Sequence, residues 1–594
     1  MNLFRRIFVV GLLGLACTVI AAPAASAHWT NNGLGSFGSS TATMPGGITP
    51  NVSVAGRTVT VDVTQISVAG QFVGALGGGY TIKRYPANGG APVTPGGGCG
   101  TSVTGAAATL TCTETGTPGG DWKYTVSPTL YQWTSAESAA SATVIVIPDP
   151  ATALTASAAP AGAIDLNWTA GGGATGYNVY RRTAAGAYNF SAPLNGATPV
   201  GSTTYNDTTA VPGTAYNYVV RSVAIDSSGL QIESANSNEP AAVTSDNTVP
   251  TGVTLNAVAT PMRGTITLSG TATDTISGVN NIAFQYRLSS GGTWSTGCSD
   301  PTTPYSCNFD TTTIADGLYD FRALASDGAG NQTASTIQTN RLIDNTAPTV
   351  NLTNPGTPRR ATVALTATAT DGGSGMVSVA FQYKLSAGAV WTTISTDTTS
   401  PYTANFNTTA LNGTYDIRAL ATDVVGNQGT SVATNIVLDN TRPTATDIQT
   451  ANGVGILGRP DAGDAVTYTF SEAMLPTSFL AGWTGASQAV TLRLNQGGND
   501  TMTVFNAANT TQLPFGSVRI GTGHVTASAR FSATMTMSGN TIVITLGTQL
   551  SGTVATSAAN VTMRWTPSAT ATDLAGNAMT TANRNETGAA DREF

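Results

Sequence analysis

Along most of this chain apolar residues recur at every second position, in short runs separated by Gly, Pro, Asn and Asp. Phe284, Tyr286 and Leu288 show the pattern, as do Tyr319, Phe321, Ala323 and Ala325, and the stretch NVSVAGRTVTVDV that starts at Asn51. A period of two is what a strand with one buried face requires. No long stretch carries the helical period of 3.6. Many short strands punctuated by turn residues predict an all-β chain of stacked sandwiches.

The alternation is itself repeated. DNTVP at Asp246 to Pro250, DNTAP at Asp344 to Pro348 and DNTRP at Asp439 to Pro443 mark joints 98 and 95 residues apart. Between them, FQYRLSSGGTW (Phe284 to Trp294) becomes FQYKLSAGAVW (Phe381 to Trp391), and GLYDFRALASDGAGN (Gly317 to Asn331) becomes GTYDIRALATDVVGN (Gly413 to Asn427). These two modules, 246–343 and 344–438, resemble bacterial Ig-like domains over nearly their full length.

Upstream, 148–245 reads AIDLNW ending at Trp168, then GYNVYRR from Gly176, then TTYNDTTAVPGTAYNYVVRSV from Thr203. This resembles a fibronectin type III domain. The resemblance implies a core Trp168, inward-facing Tyr177 and Val179, and a corner Tyr216 whose hydroxyl bonds back to the backbone. Residues 28–147 are reminiscent of a divergent fibronectin-like or Ig-like sandwich with a disulfide. Residues 439–594, with AGDAVTYTFSEAM from Ala462 and TDLAGNAM from Thr572, resemble the Ig-like domains of bacterial surface-layer-associated and other secreted proteins. That last segment is read as one larger Ig-like core with insertions, with a split into two pieces as the alternative. The expected fold is thus all-β: a string of five immunoglobulin-like or fibronectin type III β-sandwich modules.

Composition agrees with strands and tight loops. Only 10% of residues are charged, against about 25% in an average soluble protein, and Gly, Ala, Thr and Ser take their place. A net charge of −7 and no basic run give phosphate-backbone binding little support, so nucleic acid is not an expected partner. The opening 1–27 reads as an export signal: Arg5 and Arg6, an apolar run over 7–20, then Ala25, Ser26 and Ala27 before His28. Cys17 raises a lipoprotein alternative and the Arg pair a twin-arginine one; Gly14 and Phe4 sit badly with those patterns. No later stretch approaches the roughly 20 apolar residues that span a bilayer, and no sorting signal is seen at the end. The expected location is secreted, extracellular or loosely attached to the cell surface.

Export places the remaining cysteines where disulfides persist, and Cys99 with Cys112 and Cys298 with Cys307 are expected as structural pairs. Ser395 and Ala404 stand where the second repeat would carry the latter pair, so both sulfurs are missing together.

Catalytic chemistry finds little footing. The chain has two histidines, His28 and His524, and no HExxH or GxSxG. A glycosidase-type carboxylate pair leaves no motif, but modules this small hold little cleft volume, and no enzyme activity is expected. Calcium is the most plausible ligand, with Asp274, Asp327 and Asn331 in the first repeat and Asp371, Asp423 and Asn427 in the second; Asp573 and Asn577 repeat the D-x-x-G-N spacing. The competing reading is that these residues merely close Asx-turns. Three lysines, Lys83, Lys123 and Lys384, leave intramolecular isopeptide bonds without a consistent donor, since Arg287 stands where the first repeat would need Lys384. Trp122, Tyr131, Trp133 and Trp483 are the candidate sugar platforms, Trp133 and Trp483 first among them, with core packing as the alternative. Trp294 and Trp391 recur in register, as core residues would.

These readings converge on an adhesion, display or surface-structure protein whose partner is an extracellular polysaccharide or a surface protein. The alternative is an accessory carbohydrate-binding protein of polysaccharide degradation.

Overall fold

The computed structural model describes residues 26–30, 39–590 and 592–594. The expected export segment lies outside the described residues except for Ser26 and Ala27, which open the strand Ser26–Thr30 paired with Ser39–Thr43. No helix among the described residues is long and apolar enough to cross a membrane.

Four times along the chain a three-stranded sheet is followed in the fold by a larger antiparallel sheet, and their apolar faces meet. The first such unit sets Asn51–Ala55, Thr58–Thr64 and Thr109–Glu114 against Gly79–Pro86, Gly120–Leu130, Trp133–Thr134 and Val144–Val146. Val59, Val61, Val63, Tyr80, Ile82, Tyr124 and Val126 fill the space between, the alternate residues of their strands. Inside it Arg84 pairs with the buried Glu114, which also accepts a 2.6 Å bond from the Tyr124 hydroxyl.

The second unit carries Thr152–Ala158, Ile164–Thr169 and Thr204–Asp207 on one sheet and Gly176–Thr183, Ala215–Ile225, Gln231–Glu233 and Val243–Thr244 on the other. Trp168 is buried and meets Tyr177 edge-on at 5.3 Å, Val179 is buried beside it, and the Tyr216 hydroxyl accepts from the Val211 backbone N–H at 3.3 Å. This is the fibronectin type III packing that the sequence implies.

The two repeats share one topology. Thr251–Leu255, Thr265–Thr273 and Ser306–Asp310 oppose a sheet ordered Ser295–Asp300, Val279–Leu288, Gly317–Asp327, Gln332–Ala334, with Gln338–Ile343 also on Gly317–Asp327. In the second repeat Thr349–Leu352, Thr362–Thr370 and Tyr402–Asn407 oppose Thr392–Asp397, Met376–Leu385, Gly413–Asp423 and Gln428–Leu438.

The last module differs. Nine strands from Ala445–Ala451 to Arg584–Asn585 form one continuous antiparallel path around one core that includes Tyr468, Phe470, Phe515 and Trp565. Its first and last strands come together, and Gln449 and Asp447 bond to the Thr587 backbone across the gap, so the sheet curls on itself. Register shifts in the hairpin of Val525–Ser538 with Thr541–Val554 supply the bend.

Both disulfides are formed, Cys99–Cys112 and Cys298–Cys307. Cys298 pairs across its sheet with Phe284 and Cys307 with Leu268; Ser395 and Ala404 hold the matching positions opposite Phe381 and Leu365. The bridge therefore clips an edge strand of one sheet to an edge strand of the other at a place where the sister module does without it. The paired C298S/C307S substitution is expected to leave the first repeat folded but less stable by roughly 2–3 kcal/mol, the loop-closure value for a short loop. Calorimetry of the full chain, with the second repeat's transition as internal reference, checks this.

Candidate metal centres at the module joints

Each D-x-x-G-N turn is closed by its own aspartate. The Asp327 Oδ1 accepts from the backbone of Ala329 and Asn331 at 2.9 and 2.8 Å, and its Oδ2 accepts from Asn331 Nδ2 at 2.9 Å. Asp423 with Asn427 and Asp573 with Asn577 repeat the closure at 2.7 to 2.8 Å. Glycine is required at the fourth position: Gly330, Gly426 and Gly576 have φ of 87°, 87° and 88°. The second acid closes a loop as well, since Asp274 Oδ1 accepts from the backbone of Ile276, Ser277 and Gly278. The Asx-turn reading is thus satisfied.

Those bonds leave other carboxylate oxygens to converge. Asp246, Asp274 and Asp327 each bring an oxygen within 4.8 Å of the others, as do Asp344, Asp371 and Asp423, and Asp439, Glu472 and Asp573. Asp274, Asp327, Asp371 and Asp423 were expected from sequence. Asp246, Asp344 and Asp439, the first residues of the DNT joints, were not, nor was Glu472; the threefold recurrence of the aspartate in that joint was the available signal.

Asn331 and Asn427 correct the expectation, because neither side chain faces the carboxylate group as a ligand. Asn331 Nδ2 donates to the carbonyls of Asp246 and Thr248, and its Oδ1 accepts from the Ala161 N–H of the preceding module. Asn427 does the same with Asp344 and Thr346, and its Oδ1 accepts from Arg263 at 3.0 Å. Both oxygens are spent on the joint itself.

Three carboxylates this close repel: two full charges 4.8 Å apart cost about 3 kcal/mol at an effective dielectric of about 20. No ion pair among the described residues involves any of them. Burial works against the charge of Asp246, but bonds from Ser277 and Thr248 outweigh it and hold the carboxyl below its usual range. At the third joint burial, then the charge and hydrogen bond of Asp439, push Glu472 up to about 7. The Asp371 Oδ1 is buried without a hydrogen-bond partner. An all-oxygen group lacking His and Cys suits a hard cation such as calcium, not a transition metal. The residues present fit that ion.

The junction between the first two modules, which has no DNT segment, is built otherwise. Arg57 reaches Asp149 at 3.1 Å and the carbonyls of Thr117 and Gly116, and Asp121 accepts from the Ser227 backbone and hydroxyl.

Trp483 is not a sugar platform. It is 3% exposed, packs edge-on against Phe479 and donates its indole N–H to the Ala486 carbonyl. Trp133 lies part-buried against the first module's core, because its two-residue strand folds back on Thr129 and Leu130. Trp294 and Trp391 depart from expectation in the other direction: both are half-buried on the outside of the larger sheet, each within reach of two cationic side chains.

The model of the family described as "Bacterial Ig domain" matches residues 253–323 and 348–419, the two repeats whose topology and joint chemistry coincide. These two modules are bacterial Ig domains. No curated protein matches the chain. Among solved structures, the fibronectin(III)-like modules of Clostridium thermocellum CbhA are 22% identical over 31% of this chain and 94% of theirs, with a TM-score of 0.22. An Fn3-like protein from Clostridium thermocellum is 32% identical over 16% of this chain and 92% of its own, with a TM-score of 0.13. A Ca2+-stabilized adhesin with which an Antarctic bacterium binds ice is 18% identical over 68% of this chain and 98% of its own, with a TM-score of 0.25.

In the Ig domains the asparagine reading has a direct check. N427A removes a buried amide that bonds two carbonyls and a carboxylate, and is expected to destabilise the second domain by about 1–3 kcal/mol. The loss should be the same with and without a chelator; a loss confined to calcium-containing buffer would return Asn427 to the ligand set.

Proposed function

We propose that this chain is a non-catalytic extracellular or cell-surface protein of adhesion, display or surface structure, in which calcium locks three successive joints of a modular rod. One observation carries the reading: each acidic triad takes one aspartate from the linker and two acids from turns of the module that follows. A cation held by Asp344, Asp371 and Asp423 ties the linker to that module at two points. On the other side, Asn345 Oδ1 accepts from the Gly264 N–H and Asn440 Oδ1 from the Ala361 N–H, fastening the same linkers to the module before. A linker held on both sides cannot swivel, and stiffness is what a spacer needs. The partner at the end of such a rod is an extracellular polysaccharide or a surface protein.

Calcium titration of the full chain tests this. At a concentration 100 times its dissociation constant, each bound ion adds about 2.7 kcal/mol to the element that holds it, so the melting transitions of the Ig domains and the last module should rise together and fall again on chelation. D344A should abolish the rise at its own joint and spare the others. Scattering should show a longer, stiffer particle with calcium; identical melting and dimensions with and without the ion would sink the reading.

A further inference from the structure

The outer face of each Ig domain's larger sheet carries a second repeated group, whose Arg322 and Arg418 stand five residues before the joint acids Asp327 and Asp423 on the same strands. In the first domain the guanidinium carbons of Arg287 and Arg322 lie 4.6 and 4.3 Å from the centre of the Trp294 ring. In the second, Lys384 Nζ and the Arg418 guanidinium lie 5.4 and 4.3 Å from Trp391. Two cations thus meet over one ring, and each site has one carboxylate nearby. Asp320 gives that carboxylate to Arg287 at 3.2 Å and Asp416 gives it to Lys384 at 3.0 Å. Both acids are buried and also accept from a serine hydroxyl, Ser289 or Ser386.

Arg322 and Arg418 are left without an anion. The Nε of each donates to a glutamine carbonyl, Gln285 at 2.9 Å and Gln382 at 2.8 Å. Their Nη1 and Nη2 groups donate to no protein atom among the described residues, and neither pair is buried. Burial, then the charge of Arg287, lowers the pKa of Arg322.

We propose that these two faces are carboxylate-binding subsites, one per Ig domain, for a linear acidic polysaccharide. A guanidinium whose Nε is tied to glutamine and whose plane rests near a tryptophan has already lost most of its side-chain freedom, so little more is lost when its two Nη groups take a planar carboxylate side by side. Each subsite alone is weak; a polymer that engages both gains from effective concentration. The net charge of −7 disfavours dense polyphosphates, and one free fork per domain suits carboxylates spaced along sugars. The inference gives the adhesive reading a partner class, rests on that reading for its biological sense, and is independent of calcium at the joints.

Binding of the full chain to polygalacturonate, to neutral amylose and to polyphosphate, measured at low salt in EDTA, decides it. Polygalacturonate should be bound and amylose not. R322K/R418K, which keeps both charges but removes both forks, should weaken binding about tenfold, and either single change about threefold. Q285A/Q382A, which frees the forks without removing them, should weaken it less, with melting unchanged, and serves if the arginine variant fails to fold. Unchanged affinity in R322K/R418K, equal binding of amylose, or preference for polyphosphate would each overturn the assignment. So would binding seen only with calcium, which would mean a cation bridging the joint acids to the polymer. The calcium reading fails separately, in the melting transitions.

Discussion

Four modules stand on the burial of alternate side chains between two small sheets, and the fifth on the same burial inside one curled sheet, with little help from charge. In the first Ig domain Phe284, Phe309 and Phe321 share one core with Leu268, Ala323 and Ala325, and the Phe309 and Phe321 rings meet edge-on at 6.1 Å. The outward positions of the smaller sheet are mostly threonine, with Ser269, Ser306, Asn308 and Asp310 among them. Thr254 and Thr271 bond across the strands at 2.8 Å, and Thr251 and Thr273 at 3.2 Å. Such cross-strand pairs stabilise a sheet without ions, which is how a chain with 10% charged residues stays ordered. Many of the remaining acids are in turns, where their carboxylates replace missing backbone partners.

That placement determines the joints. A sandwich delivers its turns to its two ends, so acids that close turns gather where modules meet. At the DNTAP and DNTRP joints the tripeptide divides its duties between neighbours: the aspartate faces the turns ahead, and Asn345 or Asn440 caps the module behind. The glycine of D-x-x-G-N completes the contact from the other side. A Cβ on Gly330 would stand 3.3 Å from the Pro160 ring, one on Gly426 3.4 Å from Arg263, and one on Gly576 3.3 Å from Arg360. The glycine permits a left-handed turn and a close approach at once. The junction between the first two modules, with Arg57 and Asp121, achieves contact with no converging acid triad among the described residues.

The tryptophans show how far a period of two can be read. Trp168 follows Leu166 and Ile164 on an inward row and is core. Trp294 and Trp391 come after the Gly-containing turns that end the FQYRL and FQYKL strands, where alternation no longer states a side, and they fall outside. Trp483 lies next to the four-residue helix Pro476–Phe479 in a segment without strand periodicity, and it falls inside.

The sequence by itself determined the sandwich class, the duplicated pair, the fibronectin-type core around Trp168 and both disulfides, because these rest on local alternation, on repetition and on short-range pairing. Of the six residues read from sequence as calcium candidates, Asp274, Asp327, Asp371 and Asp423 fall in converging carboxylate groups, each an acid that closes a turn at the end of a strand. Only the tertiary structure decided that Asp246, Asp344, Asp439 and Glu472 complete the triads and that Asn331 and Asn427 leave them. It also decided that the last module is one curled sheet, and that two cationic side chains share each outer tryptophan. The physical reason is common to all of these: convergence of groups tens of residues apart is set by strand register and by how one sandwich docks on the next, and neither has a period that a single chain displays.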